Sequence, residues 1–112
     1  MDNKFVNNYN QDLSNLLNDI NVKDLNKSIE LIKRVKKKDA KIILAGNGGS
    51  AALSSHVAVD FTKTTKIRAT NFNEADLITC FANDYGYENW LSQALKSYAK
   101  KNDLVILVSS SG

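Results

Sequence analysis

Residues 41–50 narrow the folds open to this chain more than any other stretch. Lys41-Ile42-Ile43-Leu44-Ala45 is short and apolar, as a parallel strand buried on both faces must be. Gly46-Asn47-Gly48-Gly49-Ser50 breaks it at once, and Ala51 to Phe61, without glycine or proline, predicts a helix. Arg68 to Phe72 predicts a second, weaker strand. Asn73 is placed to cap a helix from Glu74 to about Asn83, with Glu74 and Asp76 in its first turn. Asp84-Tyr85-Gly86 reads as a turn, and Trp90, Leu91, Ala94, Leu95 and Tyr98 mark another amphipathic helix. Leu104-Val105-Ile106-Leu107-Val108 is the clearest strand, and Ser109-Ser110-Ser111-Gly112 follows it directly. Strands alternating with helices predict an α/β fold with a parallel sheet and right-handed crossovers. An open three-stranded parallel sheet leaves a long edge, so the sequence reads as the front half of a domain, truncated after its third strand.

Ahead of this lie two helical stripes. Val6, Tyr9, Leu13, Leu16, Leu17 and Ile20 share one helix face, and Val22, Leu25, Ile29, Ile32 and Val35 share another. These stripes need a partner, either the rest of the domain or another subunit. We read residues 1–112 as one domain, with 1–38 a helical oligomerisation segment and 39–112 the start of an α/β core.

Composition excludes several classes. With 43% hydrophobic and 24% charged residues, the chain is not disordered as a whole. Its net charge of +3 owes much to the run 33–38, which lacks interleaved aromatics and suits the end of a helix. No nucleic-acid partner is expected. No apolar run approaches the ~20 residues of a membrane span, and residues 1–4 lead into no signal-peptide core. The one cysteine, Cys80, excludes an intrachain disulfide and reads as a small buried hydrophobe. A cytoplasmic protein is expected, without a membrane partner.

Four groups could carry chemistry. Glycines in the turn Gly46–Ser50 let backbone approach a ligand, and a helix N-terminus faces an anion, so the turn reads as a phosphate cradle or as a plain strand-to-helix connection. Neither a P-loop nor the dinucleotide fingerprint fits, because no Gly-Lys-Ser/Thr follows and Ala51 stands where a glycine is needed. Ser109, Ser110 and Ser111 repeat the arrangement after another strand, where a parallel sheet binds ligands. Together the two turns could grip a phosphorylated polyol. His56 and Asp60, four apart on one helix face, form two ligands of a metal site, a catalytic pair with the carboxylate as general base, or a surface pair. Lys63, Lys66 and Arg68 either draw in an anionic substrate or sit in a solvated loop.

In order and spacing, Gly46-Asn47-Gly48-Gly49-Ser50-Ala51-Ala52, His56, Asn83-Asp84-Tyr85-Gly86-Tyr87-Glu88 and Ser109-Ser110-Ser111-Gly112 resemble the sugar isomerase (SIS) domain. Within it they are most similar to the phosphoheptose isomerases, which convert sedoheptulose 7-phosphate to a heptose 7-phosphate for bacterial lipopolysaccharide and capsule. The resemblance spans nearly the whole chain. It implies a doubly wound, Rossmann-like three-layer sandwich with two N-terminal helices, assembled as a homotetramer. It also implies that Asn47, Gly48, Gly49, Ser50 and Asp84 line the sugar-phosphate site and that Ser109, Ser110 and Ser111 cradle the phosphate. His56 would be a zinc ligand, and Asp60 a ligand or the catalytic base. The family carries glutamate where Asp60 stands, and the arginine it places shortly afterwards is not in register, with Thr64 near its position. The family's remaining metal and catalytic groups lie in a second half, so residues 1–112 alone are expected to be inactive.

The reaction so implied is a ketose–aldose isomerisation through an enediolate. It needs a base, a proton carrier at oxygen and positive charge at the developing oxyanion. The alternative reading is a phosphosugar-binding SIS module without catalysis.

Overall fold

The computed structural model describes residues 2–112. One compact unit ends at Glu30, and another runs from Leu31 to Gly112. In the first, helix α1 (Asn3–Asn18) starts where the Asp2 carboxylate accepts the Lys4 N–H at 3.0 Å. Its stripe is exposed, with Tyr9 at 61% and Leu16 at 70%. Helix α2 (Val22–Lys37) is opened by Asn21, whose side chain accepts the N–H groups of Lys23 and Asp24. No helix among the described residues is long and apolar enough to cross a membrane.

The second unit is built around three parallel strands, β1 (Lys41–Gly46), β2 (Arg68–Asn71) and β3 (Leu104–Val108), in the spatial order β2-β1-β3. Ile42 stands opposite both Ala69 and Leu104, which makes β1 the centre of the sheet. Between the strands run α3 (Gly49–Asp60), α4 (Ala75–Tyr85) and α5 (Trp90–Tyr98).

Alternation along β1 divides its side chains between two cores. Ile42 and Leu44 pack with Val35, Ala58 and Ile67 under α2 and α3. Ile43 points the other way, onto Phe72, Trp90 and Ala94 under α4 and α5. Ile42 and Ile43 are wholly buried. A central strand covered on both faces explains its unbroken apolar run, and the layers are those of a doubly wound sandwich.

All three strands lie where the sequence puts them, but three local expectations are corrected. Beyond Asp60 the chain continues as a π turn (Phe61–Thr65), in which the Thr62, Thr64 and Thr65 hydroxyls bond back to the carbonyls four residues earlier. Asn73 does not cap α4; Glu74 holds that position, and the Asn73 amide donates instead to the Ala51 carbonyl and the Ser55 hydroxyl of α3. Cys80 is exposed, not buried. Leu77, Ile78, Phe81 and Ala82 take the inward face of α4, and the helical period turns Cys80 away from them.

At the amino ends of β1 and β3, Asp103 joins the two strands. Its carboxylate accepts the Lys41 N–H at 3.0 Å, the Lys41 ammonium at 2.5 Å and the Lys100 N–H at 2.7 Å. Its side chain is 5% exposed. Burial pushes this carboxyl up, but its bonds to the Lys41 ammonium and to the N–H groups of Lys41 and Lys100 outweigh that and hold it below its ordinary 3.8. A depressed native value means that the stabilisation is present above the unfolded pKa and lost as pH falls through the native one. Asp103→Asn should therefore cost about 2 kcal/mol at pH 7. Urea titrations of the variant and the parent should converge as pH is taken down through 3.8 and below.

Candidate functional site

The chain leaves β1 through α3 to reach β2 on one side, then crosses back over β1 to reach β3 on the other. The carboxyl ends of β1 and β3 therefore frame the switch point, where open α/β sheets bind ligands. A cleft of about 490 Å³ lies there. Gly46 and Asn47 form its wall at the end of β1, Val108 and Ser109 at the end of β3, and Tyr87 and Glu88 from the turn after α4.

The end of β1 is set by close packing between strand and helix. A Cβ on Gly46 would stand 2.5 Å from the Ser50 carbonyl carbon and oxygen, so only glycine lets the first turn of α3 lie this near the strand end. The turn closes on itself, with the Ser50 N–H donating to the Asn47 carbonyl at 3.0 Å. Ser54, wholly buried, donates its hydroxyl to the Ser50 carbonyl at 2.8 Å and holds it in place. Asn73 fastens the same helix from β2's side through Ala51 and Ser55. Spacing gave no sign of this clamp, because an asparagine ahead of a helix reads first as a cap.

The residues singled out from the sequence are only partly brought together. Asn47 and Ser109 face one cleft, whereas Gly48, Gly49, Ser50, Ser110 and Ser111 continue the two turns outside its lining. The Ser109 hydroxyl accepts the N–H groups of Ser111 at 3.3 Å and Gly112 at 3.0 Å, which curls the serine turn over the end of β3. Asp84 is exposed at the end of α4, where its carboxylate accepts the Asn83 amide at 3.1 Å. His56 Nε2 and Asp60 Oδ2 lie 3.4 Å apart on the outer face of α3, with side chains 77% and 55% exposed. Neither lines the cleft.

Arg68 opens β2 at the opposite end of the sheet and pairs with Asp39, while Lys66 donates to the Lys63 carbonyl. That group is dispersed, because strand direction carries Arg68 away from the carboxyl ends. Sequence reasoning missed Tyr87, whose hydroxyl donates to Asn47 Oδ1 at 3.2 Å across 40 residues.

Comparison with known proteins agrees with this architecture. The family model described as SIS domain matches residues 5–112. Phosphoheptose isomerase of Helicobacter pylori is 33% identical over 94 residues, covering 79% of this chain and 49% of that protein. Phosphoheptose isomerase 2 of Campylobacter jejuni is 37% identical over 95 residues, covering 78% of this chain and 46% of that one. This chain thus spans about half the length of the curated relatives it matches. The solved structure of phosphoheptose isomerase GmhA from Neisseria gonorrhoeae superposes with a TM-score of 0.82 at 24% identity, over 95% of this chain and 59% of that one. A family match running almost end to end, over a sheet whose switch-point cleft carries Asn47 and Ser109, means that the chain belongs to the SIS domain family.

Proposed function

We propose that this protein is a phosphosugar isomerase and that its substrate is sedoheptulose 7-phosphate, converted to a heptose 7-phosphate. The cleft at the carboxyl ends of β1 and β3, lined by both Asn47 and Ser109, is the observation that carries the reading. There the Asn47 amide and the Ser109 hydroxyl would hold phosphate and sugar oxygens, with Ser110 and Ser111 on the turn just beyond the lining, and binding energy gained there orients the reacting carbons. Asp60 would carry the proton between adjacent carbons. Similarity to enzymes named phosphoheptose isomerase supports the substrate class.

Zinc fits as far as two donors can. Tetrahedral zinc with nitrogen and oxygen ligands sets neighbouring donors about 3.3 Å apart. His56 Nε2 and Asp60 Oδ2 stand at 3.4 Å, on a face open to a metal. Among the described residues no group of three or more potential ligands gathers, so the remaining donors would come from outside them. Bound there, zinc would act as a Lewis acid on the sugar carbonyl.

Ser50 and Asp60 are ten residues apart on one helix, about 15 Å along its axis. The reading therefore requires a further element, a second copy of this chain or additional sequence, to carry the reacting carbons to Asp60. The same separation favours the second reading, a module that binds phosphosugars and does not turn them over. Purified full-length protein should hold stoichiometric zinc and isomerise sedoheptulose 7-phosphate. Tight binding without turnover, with or without zinc, would establish the module instead; neither binding nor turnover would remove both.

A further inference from the structure

We infer that Tyr87 is a positioning residue for the phosphosugar site, fixing the rotation of the Asn47 amide so that its donor nitrogen serves the ligand. The inference rests on the reading of the cleft as a phosphosugar site. An asparagine amide carries an acceptor oxygen and a donor nitrogen on one rotatable plane, and can present either. Here the Tyr87 hydroxyl donates to Asn47 Oδ1 at 3.2 Å. That engages one lone pair of the oxygen, fixes the amide plane and leaves Nδ2, with two N–H groups, as the donor end for a ligand. Such a donor reads oxygens that only accept: phosphate oxygens, a carbonyl, or an oxyanion.

The turn that brings Tyr87 there is built for it. Gly86 has φ +87°, a backbone conformation that other residues rarely adopt, so the reversal favours glycine here. Asn89 fastens the reversal twice, its N–H donating to the Gly86 carbonyl at 3.0 Å and its amide to the Tyr85 carbonyl at 3.0 Å. Trp90, next in the chain, is 8% exposed and anchors the turn in the core under α4 and α5. Tyr87 itself is 58% exposed, so its ring contributes little to the core. Its hydroxyl joins two walls of the cleft that are 40 residues apart in the chain.

The test uses the full-length protein and removes only the hydroxyl. In Tyr87→Phe, KM for sedoheptulose 7-phosphate should rise about three- to tenfold, the effect of one hydrogen bond, with kcat within about twofold. In an Asn47→Ala background the same change should add nothing, because the hydroxyl acts through Asn47. A residue that merely supported the fold would weaken both backgrounds alike. A second readout needs no ligand: the Asn47 side-chain amide cross-peak, identified by its loss in Asn47→Ala, should move in Tyr87→Phe. An unmoved cross-peak, or an unchanged KM beside a working wild type, would overturn the inference. A wild type that neither binds nor turns over the sugar phosphate would overturn the phosphosugar reading, and the cross-peak alone would then decide the pairing.

Discussion

If the full-length protein isomerises sedoheptulose 7-phosphate as proposed, Asp60→Asn should lower kcat by about a hundredfold or more, in the range that a positioned proton-transfer group supplies. The change keeps size and shape and removes the negative charge, and with it both the capacity to take a proton and the carboxylate that faces His56. Asp60 is more than half exposed on the outer face of α3, and surface changes of that kind move stability by about 0.5 kcal/mol at most. Loss of turnover with an unchanged melting curve is therefore a chemical effect and not unfolding. Asp60→Glu keeps the carboxylate and adds one methylene, so it should retain far more activity than Asp60→Asn. Steady-state assays of both variants decide it. Retention of activity within tenfold by Asp60→Asn would remove Asp60 from the proton path.

The second large effect is structural. Gly46→Ala places a Cβ 2.5 Å from the Ser50 carbonyl, against backbone that cannot swing aside as a side chain can. Either α3 moves off the sheet or β1 bends, and both disturb the close approach of the strand end to the first turn of α3. Overpacking of this kind costs about 3 kcal/mol, a loss on the order of 10 °C in Tm. Phosphosugar binding should fall with it, because Asn47 lies between the strand and the helix that must part. Gly49→Ala is the control. Nothing lies within 4 Å of a Cβ at Gly49, which is the first residue of α3. Its replacement should leave Tm unchanged or raise it slightly. Calorimetry on the two variants separates close approach at one glycine from a general need for glycine in the turn.

The fold was largely legible in the residues. The run 42–45 is apolar throughout because β1 is buried on both faces, and an alternating strand would have implied one wet face. The break at Gly46 marked the end of that strand, and the helical stripes marked their inward faces correctly in α5, where Trp90 and Ala94 are buried. Local signals misled where two roles compete for one residue. Asn73 has the chemistry of a cap, but α3 lies close enough to take its amide, and tertiary contact overrode the local preference. Cys80 sits in an apolar run, yet a helix has an outer face, and a run of six residues wraps round it.

The site divides along the same line. Residue types and their order determined which side chains carry chemistry here: the glycine turn, the serine turn and the His56–Asp60 pair are local in sequence. A helix or strand turn fixes each of them within a few residues. What only the tertiary structure decided is which of these groups meet. Parallel strand order puts Asn47 and Ser109 on one cleft, and strand direction sends Arg68 to the far end of the sheet. The rise of α3 holds Asp60 apart from the cleft, and a reversal at Gly86 returns Tyr87 onto Asn47. Spacing encodes the face of an element. Distance between elements depends on crossovers and close packing, and no single stretch of sequence contains it.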